Sequence, residues 1–182
     1  MRVITGIARG RKLRTREGTD VRPTTDMVKE AVFSTVQFEI QSANFLDLFA
    51  GSGQMGIEAL SRGAKLAVFV DQSRQAAEVV RENLKSTGLT GGSRVVMMDC
   101  KSYLAGCRDS FDIAFLDPPY GQGILQEVLP LLVPHMAPGG VILCEHPKGE
   151  ELPERVVDFA IRKQYNYGKI AVTAYRAASE ER

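Results

Sequence analysis

The sequence predicts an α/β fold in which a mostly parallel β-sheet is covered by helices on both faces. Short apolar runs alternate with amphipathic stretches over residues 45–144, which is typical of strands joined by helical crossovers. Runs such as Leu66–Val70 are apolar at every position, as expected for strands buried on both faces. The chain is 44% apolar and 25% charged, the balance of an ordinary globular domain.

The elements follow in a regular order after Pro23. Thr24-Thr25-Asp26 can cap a helix, and apolar residues at four-residue spacing extend the predicted helix over residues 25–40. We predict strands at Phe45–Phe49, Leu66–Val70, Arg94–Met98, Phe111–Leu116 and Val141–Cys144. We predict helices at Gly56–Arg62, Arg74–Ser86 and Ile124–Met136, with a turn at Pro138-Gly139-Gly140. The end of the chain is predicted as an antiparallel hairpin of Val156–Tyr165 and Lys169–Arg176.

Composition excludes several classes of protein. No apolar run approaches the roughly 18 residues that a membrane span requires, and the N-terminus has no signal-peptide pattern. The three cysteines cannot form a closed set of disulfides, and their spacing matches no zinc site. We therefore expect a monomeric cytoplasmic protein with no membrane partner and no metal.

The net charge of +1 conceals a basic N-terminal arm. Residues 1–16 carry six bases and no acid, while the rest of the chain holds 17 bases against 22 acids. This layout favours contact with a polyanion at one end of the molecule. A solvated tail is the alternative, but apolar residues and glycines interleaved with the bases favour short paired strands.

A glycine-rich loop after the first predicted strand indicates a cofactor site. Gly51, Gly53 and Gly56 satisfy the G-x-G-x-x-G pattern, and Asp71 follows Gly51 by 20 residues at the end of the next strand. Glycines let a ligand approach the backbone, and the acid can accept hydrogen bonds from ribose hydroxyls. The alternative is a glycine turn that merely joins strand to helix.

The carboxylate of Asp47 bears on the identity of that cofactor. A negative charge four residues before the first glycine would repel a pyrophosphate, whereas it would suit the ammonium of S-adenosylmethionine. Asp99 follows the third predicted strand and would fall near the adenine, although a helix-capping role is equally compatible with its position. The predicted cofactor-binding residues are Asp47, Phe49, Gly51, Gly53, Asp71, Gln72, Asp99 and Cys100.

The sequence Asp117-Pro118-Pro119-Tyr120 after the fourth strand indicates the chemistry. Ligands of open α/β sheets bind beyond the carboxyl ends of the strands, where this loop meets the glycine loop. The Asp117 carboxylate and the Pro118 carbonyl could hold the two hydrogens of an exocyclic amine, which aims its lone pair at a methyl group. The ring of Tyr120 offers a surface on which an extruded base can stack. A tight turn after a strand is the alternative.

These ordered motifs resemble class I S-adenosylmethionine-dependent methyltransferases that act on exocyclic amines. The resemblance is closer still to the bacterial 16S rRNA guanine-N2 methyltransferases of the RsmD type. It covers nearly the whole chain, including Arg2-Val3-Ile4-Thr5-Gly6, Gly10-Arg11-Lys12-Leu13, Val21-Arg22-Pro23-Thr24-Thr25-Asp26, Glu30-Ala31-Val32-Phe33, Glu58-Ala59-Leu60-Ser61-Arg62-Gly63-Ala64 and Tyr167-Gly168-Lys169. Gln54 and Met55 replace the small or apolar residues usual after the glycine loop, and Cys100 is a further mild departure.

The resemblance implies a Rossmann-like, seven-stranded, mostly parallel methyltransferase sheet with a C-terminal antiparallel hairpin. It implies a β-hairpin extension over residues 1–24 and a methyltransferase domain over residues 25–182. The implied activity is methylation of the N2 amine of one guanine in 16S rRNA, within an assembled small ribosomal subunit. The implied catalytic residues are Asp117, Pro118 and Tyr120. Together with the charge pattern, the resemblance predicts RNA-binding residues Arg2, Arg9, Arg11, Lys12, Arg14, Arg22 and Thr24.

Three other functions remain compatible with parts of this pattern. A methyltransferase of the same fold could act on adenine-N6 in DNA or on a protein glutamine, although the basic arm and small size disfavour both. A nicotinamide-dependent oxidoreductase would explain the glycines but gives no role to Asp47 or the double proline. A non-catalytic RNA-binding module with a vestigial pocket is disfavoured because the candidate site residues are all present.

Overall fold

The computed structural model describes residues 1–15 and 25–178, which form one central sheet flanked by helices. The strands are β1 (Asn44–Asp47), β2 (Leu66–Asp71), β3 (Ser93–Met97), β4 (Phe111–Leu116), β5 (Met136–Pro147), β6 (Arg155–Val156), β7 (Phe159–Tyr167) and β8 (Ile170–Ala177). The helices are α1 (Asp26–Thr35), α2 (Gln54–Ser61), α3 (Arg74–Thr87), α4 (Cys100–Gly106) and α5 (Ile124–Leu132). Short 3₁₀ turns cover Thr90–Gly92 and Val133–His135.

The sheet order is β3-β2-β1-β4-β5-β8-β7-β6. The first five strands run parallel, while β8, β7 and β6 are joined antiparallel at one side. The predicted α/β architecture and C-terminal hairpin are confirmed. The sheet has one strand more than the seven expected, because the two-residue β6 pairs with the start of β7. The chain reverses its direction of winding between β1 and β4, and such a switch point is where ligands bind in open α/β sheets.

Two buried clusters cover the two faces of the sheet. We call the first the α1 face, because Val28, Val32 and Phe33 of α1 pack there with apolar residues of β1, α2 and α3. Three residues of the N-terminal segment, Val3, Ala8 and Leu13, belong to this face as well. The opposite face is covered by α4 and α5. Helices on both faces explain why successive residues of the central strands, such as residues 67–70 of β2, are apolar and buried.

Local signals explain several helix ends. Thr25 caps α1 and Ser73 caps α3, each accepting a backbone N–H with its hydroxyl, and Gly88 ends α3 in the left-handed conformation. The predicted helix over residues 25–40 is too long, since α1 ends at Thr35. The apolar spacing continues past Thr35 because Val36 and Ile40 are buried. The chain at these residues forms a β-turn-like loop, and the helix does not extend through it.

Two other predictions need correction on this side of the fold. The predicted turn at Pro138-Gly139-Gly140 lies inside β5, where it forms an irregularity in the pairing with β4. The predicted helix Ile124–Met136 ends at Leu132 and gives way to the 3₁₀ turn and then β5. Helix α4 follows Asp99, and the sequence analysis did not predict it.

Among the described helices, none is long and apolar enough to cross a membrane. Within residues 1–15 and 25–178, no group of three or more His, Cys, Asp and Glu side chains is arranged to hold a metal ion. All three cysteines are free thiols.

Candidate active site

A cleft of about 920 Å³ lies at the carboxyl ends of β1, β2 and β4. Its size is within the range of small-molecule sites. The predicted residues that line it are Asp47, Phe49, Gly51, Asp71, Gln72, Asp99, Cys100, Asp117, Pro118 and Tyr120. The structure therefore brings the glycine loop and the Asp-Pro-Pro-Tyr loop into the walls of one cleft, as the parallel topology predicts.

The carboxylate of Asp71 binds the backbone of the glycine loop through a hydrogen bond. Its Oδ2 accepts the backbone N–H of Gly51 at 3.0 Å, and its Oδ1 accepts the N–H of Ser73 at 2.9 Å. Gly51 adopts φ +56°, and a Cβ at this position would meet nothing within 4 Å. The backbone at Gly51 thus faces open space in the cleft, which is the arrangement a ligand needs for close approach.

Gly53 does not line the cleft, although the sequence analysis placed it among the cofactor-binding residues. It adopts φ +81°, and a Cβ there would lie 3.0 Å from Val80 and 3.3 Å from Phe69. Gly56 is tighter still, since a Cβ would lie 2.3 Å from the Phe69 ring. These two glycines let α2 pack against β2, whereas Gly51 faces the ligand space.

Asp47 is buried at the base of the cleft. Its Oδ2 accepts the backbone N–H of Gly56 at 3.0 Å. Burial raises the pKa of Asp47 to about 8, the Gly56 hydrogen bond lowers it, and the negative charge of Asp71 raises it further. Burial therefore disfavours the ionised form of this carboxylate unless a cation lies beside it.

Asp99 combines the two roles that its position allowed. It lines the cleft, and it also caps α4 by accepting the N–H of Ser102 at 2.9 Å. Hydrogen bonding by the Ser102 side chain, and next by the Ser102 backbone N–H, lowers the pKa of the exposed Asp99 carboxyl, so it stays ionised at neutral pH. Burial raises the pKa of the neighbouring Cys100 thiol, which keeps Cys100 neutral in the cleft wall.

The Asp-Pro-Pro-Tyr loop leaves the end of β4 and leads into α5. Asp117 and Tyr120 are half-buried, Pro118 is buried, and all three line the cleft. Gly121 and Gly123 follow with positive φ, which lets the chain turn from the loop into α5. The three residues that carry the carboxylate, the carbonyl and the aromatic ring thus share the wall of one cleft.

Sequence reasoning treated Gln54 only as a departure from a family pattern. Its side chain is buried in the cleft wall, and its Oε1 accepts no hydrogen bond from the described residues. A buried oxygen without a donor is costly. A ligand group with N–H bonds would relieve that cost, so Gln54 joins the candidate site.

The N-terminal arm is docked on α2 and α3 instead of being a solvated tail. Backbone hydrogen bonds pair its two halves, from Val3 N–H to the Arg11 carbonyl and from Leu13 N–H to the Met1 carbonyl. Its turn rests on Ser61, which accepts the N–H of Ile7 at 2.9 Å through its carbonyl. Thr15 lines the cleft, so the arm runs from the cleft along α2 to the far end of that helix.

Five of the predicted RNA-binding bases lie in the described part of the arm, and all five are exposed. Arg14 is paired with Glu82, and Arg2 lies 3.9 Å from Asp26. Arg9, Arg11 and Lys12 make no ion pair within residues 1–15 and 25–178. Arg22 and Thr24, together with the predicted domain boundary at residue 24, lie outside the described residues.

Buried polar side chains that the sequence analysis missed hold this arm in place. Glu58 accepts the N–H groups of Ile4 and Thr5 at 2.8 and 3.0 Å, and its charge is matched by Lys29 and Arg62. Burial lowers the pKa of Lys29, whose Nζ also donates to the Arg2 carbonyl at 2.8 Å. Charged residues on the apolar sides of α1 and α2 were the signal that could have revealed them.

Comparisons with known proteins agree with this geometry. A family model described as conserved hypothetical protein 95 matches residues 1–176. The Bacillus subtilis protein YlbH is 41% identical over 97% of this chain and 98% of its own length. Ribosomal RNA small subunit methyltransferase D of Escherichia coli K12 is 34% identical over 99% of this chain and 91% of its own length. The solved structure of the Escherichia coli protein yhhF superposes with a TM-score of 0.88, 34% identity and 99% coverage of both chains.

Proposed function

The chain belongs to the family of conserved hypothetical protein 95 and ribosomal RNA small subunit methyltransferase D, and from this premise we propose that it transfers a methyl group from S-adenosylmethionine to the N2 amine of a guanine in 16S rRNA. The observation that carries the proposal is the meeting of Gly51, Asp71 and the Asp117–Tyr120 loop in one cleft. We further propose that the monomer acts in the cytoplasm, on an assembled small-subunit particle.

The cleft fits the three parts of S-adenosylmethionine. The open space at Gly51 and the carboxylate of Asp71 suit the ribose, and Asp99 in the cleft wall would contact the adenine. Asp47 and the unpartnered Gln54 oxygen suit the ammonium group, which brings three N–H donors and a positive charge. When bound, this cofactor supplies an electrophilic methyl group.

The chain's own residues would prepare the amine for the transfer. The Asp117 carboxylate and the Pro118 carbonyl accept the two hydrogens of the amine, so that its lone pair turns out of the plane of the base. The ring of Tyr120 supports the base by stacking. The amine becomes acidic only as the transfer proceeds, and its proton can then leave to water or to Asp117.

The guanine specificity is supported by the family resemblance. The described residues form one domain around a single sheet, so we expect this domain to recognise the shape of its RNA substrate as well as one base. The side chains of Arg9, Arg11 and Lys12 are exposed, so they can contact phosphates of the RNA.

The decisive experiment is a map of methylated nucleotides in rRNA from a deletion strain, with and without the restored gene. We expect one N2-methylguanine in 16S rRNA to disappear on deletion and to return with the wild-type gene. A gene encoding Asp117→Ala should not restore it, and this variant should still bind S-adenosylmethionine. The proposal would be overturned if the rRNA methylation map were the same with and without the gene, and methylated adenine in DNA and methylated glutamine in protein would then be measured in the same two strains.

The turnover rate that the purified variants retain is a quantitative test of the roles proposed for Asp117 and Tyr120. Asp117→Ala should lose more than about tenfold in turnover, equivalent to roughly 1.4 kcal/mol of barrier. Tyr120→Phe should be mild and Tyr120→Ala severe, because stacking needs the ring and not the hydroxyl. Asp109→Ala is a matched control, since this half-buried aspartate lies at the opposite end of β4.

A further inference from the structure

The β7–β8 hairpin extends past the cleft along the direction of the strands. Leu116, the last residue of β4, is level with Cys144, which pairs with Thr173 of β8. The pairing continues for three more residues to Pro147 and Ile170. At about 3.3 Å per residue, the end of the hairpin stands roughly 10 Å beyond the start of the Asp117–Tyr120 loop. The end of the hairpin therefore projects beyond the edge of the sheet at which that loop lies.

One face of this hairpin end carries aromatic and basic side chains, which we call the tyrosine platform: Lys163, Tyr165 and Tyr167. The two tyrosine rings lie 6.5 Å apart with only 14° between their planes. The ammonium of Lys163 lies 4.9 Å from the centre of the Tyr165 ring. Both tyrosines are half-exposed and Lys163 is exposed. Near-parallel rings with a cation beside them form a ready stacking surface.

The platform lies on the same face of the sheet as the N-terminal arm. Tyr165 pairs directly with Val172, and Val172 is buried in the same cluster as Val3 and Leu13. Directly opposed residues of neighbouring strands point to the same side of a sheet. The arm and the platform thus lie at separate places on the same face of the sheet. The cleft opens at the edge of the sheet where the parallel strands end.

The charge around the platform is suited to a phosphate backbone. The N–H of Lys148 donates to the carbonyl of Lys169 at 2.8 Å, which brings two exposed lysines together at the end of the hairpin. Neither of these lysines nor Lys163 has an ion-pair partner in the described parts of the chain. Two acids, Glu150 and Glu151, follow the turn at Lys148, the first half-buried and the second exposed.

We propose that the tyrosine platform binds single-stranded RNA next to the target nucleotide. Bases would stack on Tyr165 and Tyr167, while Lys163, Lys148 and Lys169 would contact the neighbouring phosphates. This inference rests on the proposed rRNA methylation and adds a second contact surface to the arm. Its role is to hold the strand that flanks the extruded guanine at the edge of the cleft.

Binding of an unstructured 12-nucleotide RNA to the full chain tests the platform directly. The protein has no tryptophan, so its tyrosine emission can be followed, and stacking should quench it in the wild type. Tyr165→Leu should weaken binding by about tenfold, and Tyr165→Phe should bind within twofold of wild type, because only the ring is needed. Lys163→Gln should lower the slope of log affinity against log salt by about 0.7.

Phe38→Leu is the matched control. Phe38 is an aromatic residue that is 92% exposed, and it lies outside the hairpin in the turn after α1. This variant should bind the RNA as wild type does. Thermal unfolding and S-adenosylmethionine binding of Tyr165→Leu should stay at wild-type values, which separates lost stacking from lost folding.

Three outcomes would overturn the proposal, and they are distinguishable. If Tyr165→Leu is folded and binds the RNA within twofold of wild type, the platform does not bind single strands. If its binding defect occurs only with assembled ribosomal particles and never with naked RNA, the platform contacts a protein. If the wild type methylates no rRNA at all, the proposed function fails first and the platform proposal fails with it.

Discussion

The side-chain amide of Asn83 holds the backbone of Arg14 through two hydrogen bonds. Its Oδ1 accepts the Arg14 N–H at 2.8 Å, and its Nδ2 donates to the Arg14 carbonyl at 3.0 Å. The same Nδ2 donates to the carbonyl of Ser52 in the glycine loop at 2.9 Å. Asn83 is buried, so one side chain of α3 ties the basic arm to the loop that lines the cleft.

Replacing Asn83 by leucine should loosen both of these segments. The change leaves backbone groups of Arg14 and Ser52 without partners, at a cost of about 1–3 kcal/mol in the free energy of unfolding. We expect weaker binding of both RNA and S-adenosylmethionine, measured by titration. Glu82→Gln is the control, because it removes only the exposed ion pair with Arg14 and should cost about 0.5 kcal/mol or less. Equal effects of the two variants would show that Asn83 is not the link.

The buried carboxyl of Asp47 should make stability depend on pH. Its pKa is raised to about 8 in the folded chain, whereas an unfolded aspartate titrates near 3.9. A raised folded pKa gives stability that is complete below about pH 4 and is lost as the pH rises to about 8. The free energy of unfolding should therefore fall more steeply over this range for wild type than for Asp47→Asn. Parallel curves from denaturant unfolding at several pH values would contradict the assignment.

The same carboxyl should link cofactor binding to proton release. An ammonium group favours the ionised form of Asp47, so below about pH 8 binding of S-adenosylmethionine should expel a proton. Affinity should rise with pH and level off near pH 8. Calorimetric titration in two buffers of different ionisation enthalpy measures the protons released. Asp47→Asn should release none, and proton release equal to that of wild type would remove Asp47 from the ammonium site.

Asp71→Ala should weaken binding of S-adenosylmethionine by about 1–3 kcal/mol. The variant loses the acceptor for the ribose and also the carboxylate that holds the N–H groups of Gly51 and Ser73. Asp112→Ala is a matched control, since Asp112 also accepts a backbone N–H, that of Asn44 at 2.8 Å, at the opposite end of the sheet. It should alter stability without changing cofactor affinity. Unchanged affinity in Asp71→Ala would place the ribose elsewhere.

Neutralising the arm bases that make no ion pair with the described residues should flatten the salt dependence of RNA binding. Changing Arg11 and Lys12 to glutamine removes two phosphate contacts, so the slope of log affinity against log salt should fall in magnitude by about 1.5–2. Arg14 is left in place because Glu82 already pairs with it. The double change of Arg108 and Arg155, both exposed and remote from the arm, is the control of equal charge. Lines of identical slope for wild type and the arm variant would mean that RNA is recognised elsewhere.

Local sequence patterns were enough to predict the α/β class, the order of most elements and the main loops of the cleft. Apolar runs report strands buried on both faces, and the glycine and Asp-Pro-Pro-Tyr loops each follow such a run. Because parallel strands end at one edge of the sheet, local patterns were sufficient to predict that Asp71 and Asp117 meet. Each of these inferences depends on residues that are close together along the chain.

The pairing of polar groups that are distant along the chain became visible only in the folded protein. The contact between Asn83 and Arg14 spans 69 residues, and the contact between Glu58 and Ile4 spans 54. It also separated Gly51, which faces the cleft, from Gly53 and Gly56, which face Val80 and Phe69. The G-x-G-x-x-G pattern does not distinguish a glycine that faces a cleft from a glycine that packs against a side chain. The difference lies in what the folded chain packs against each Cα, and short-range periodicity does not contain that information.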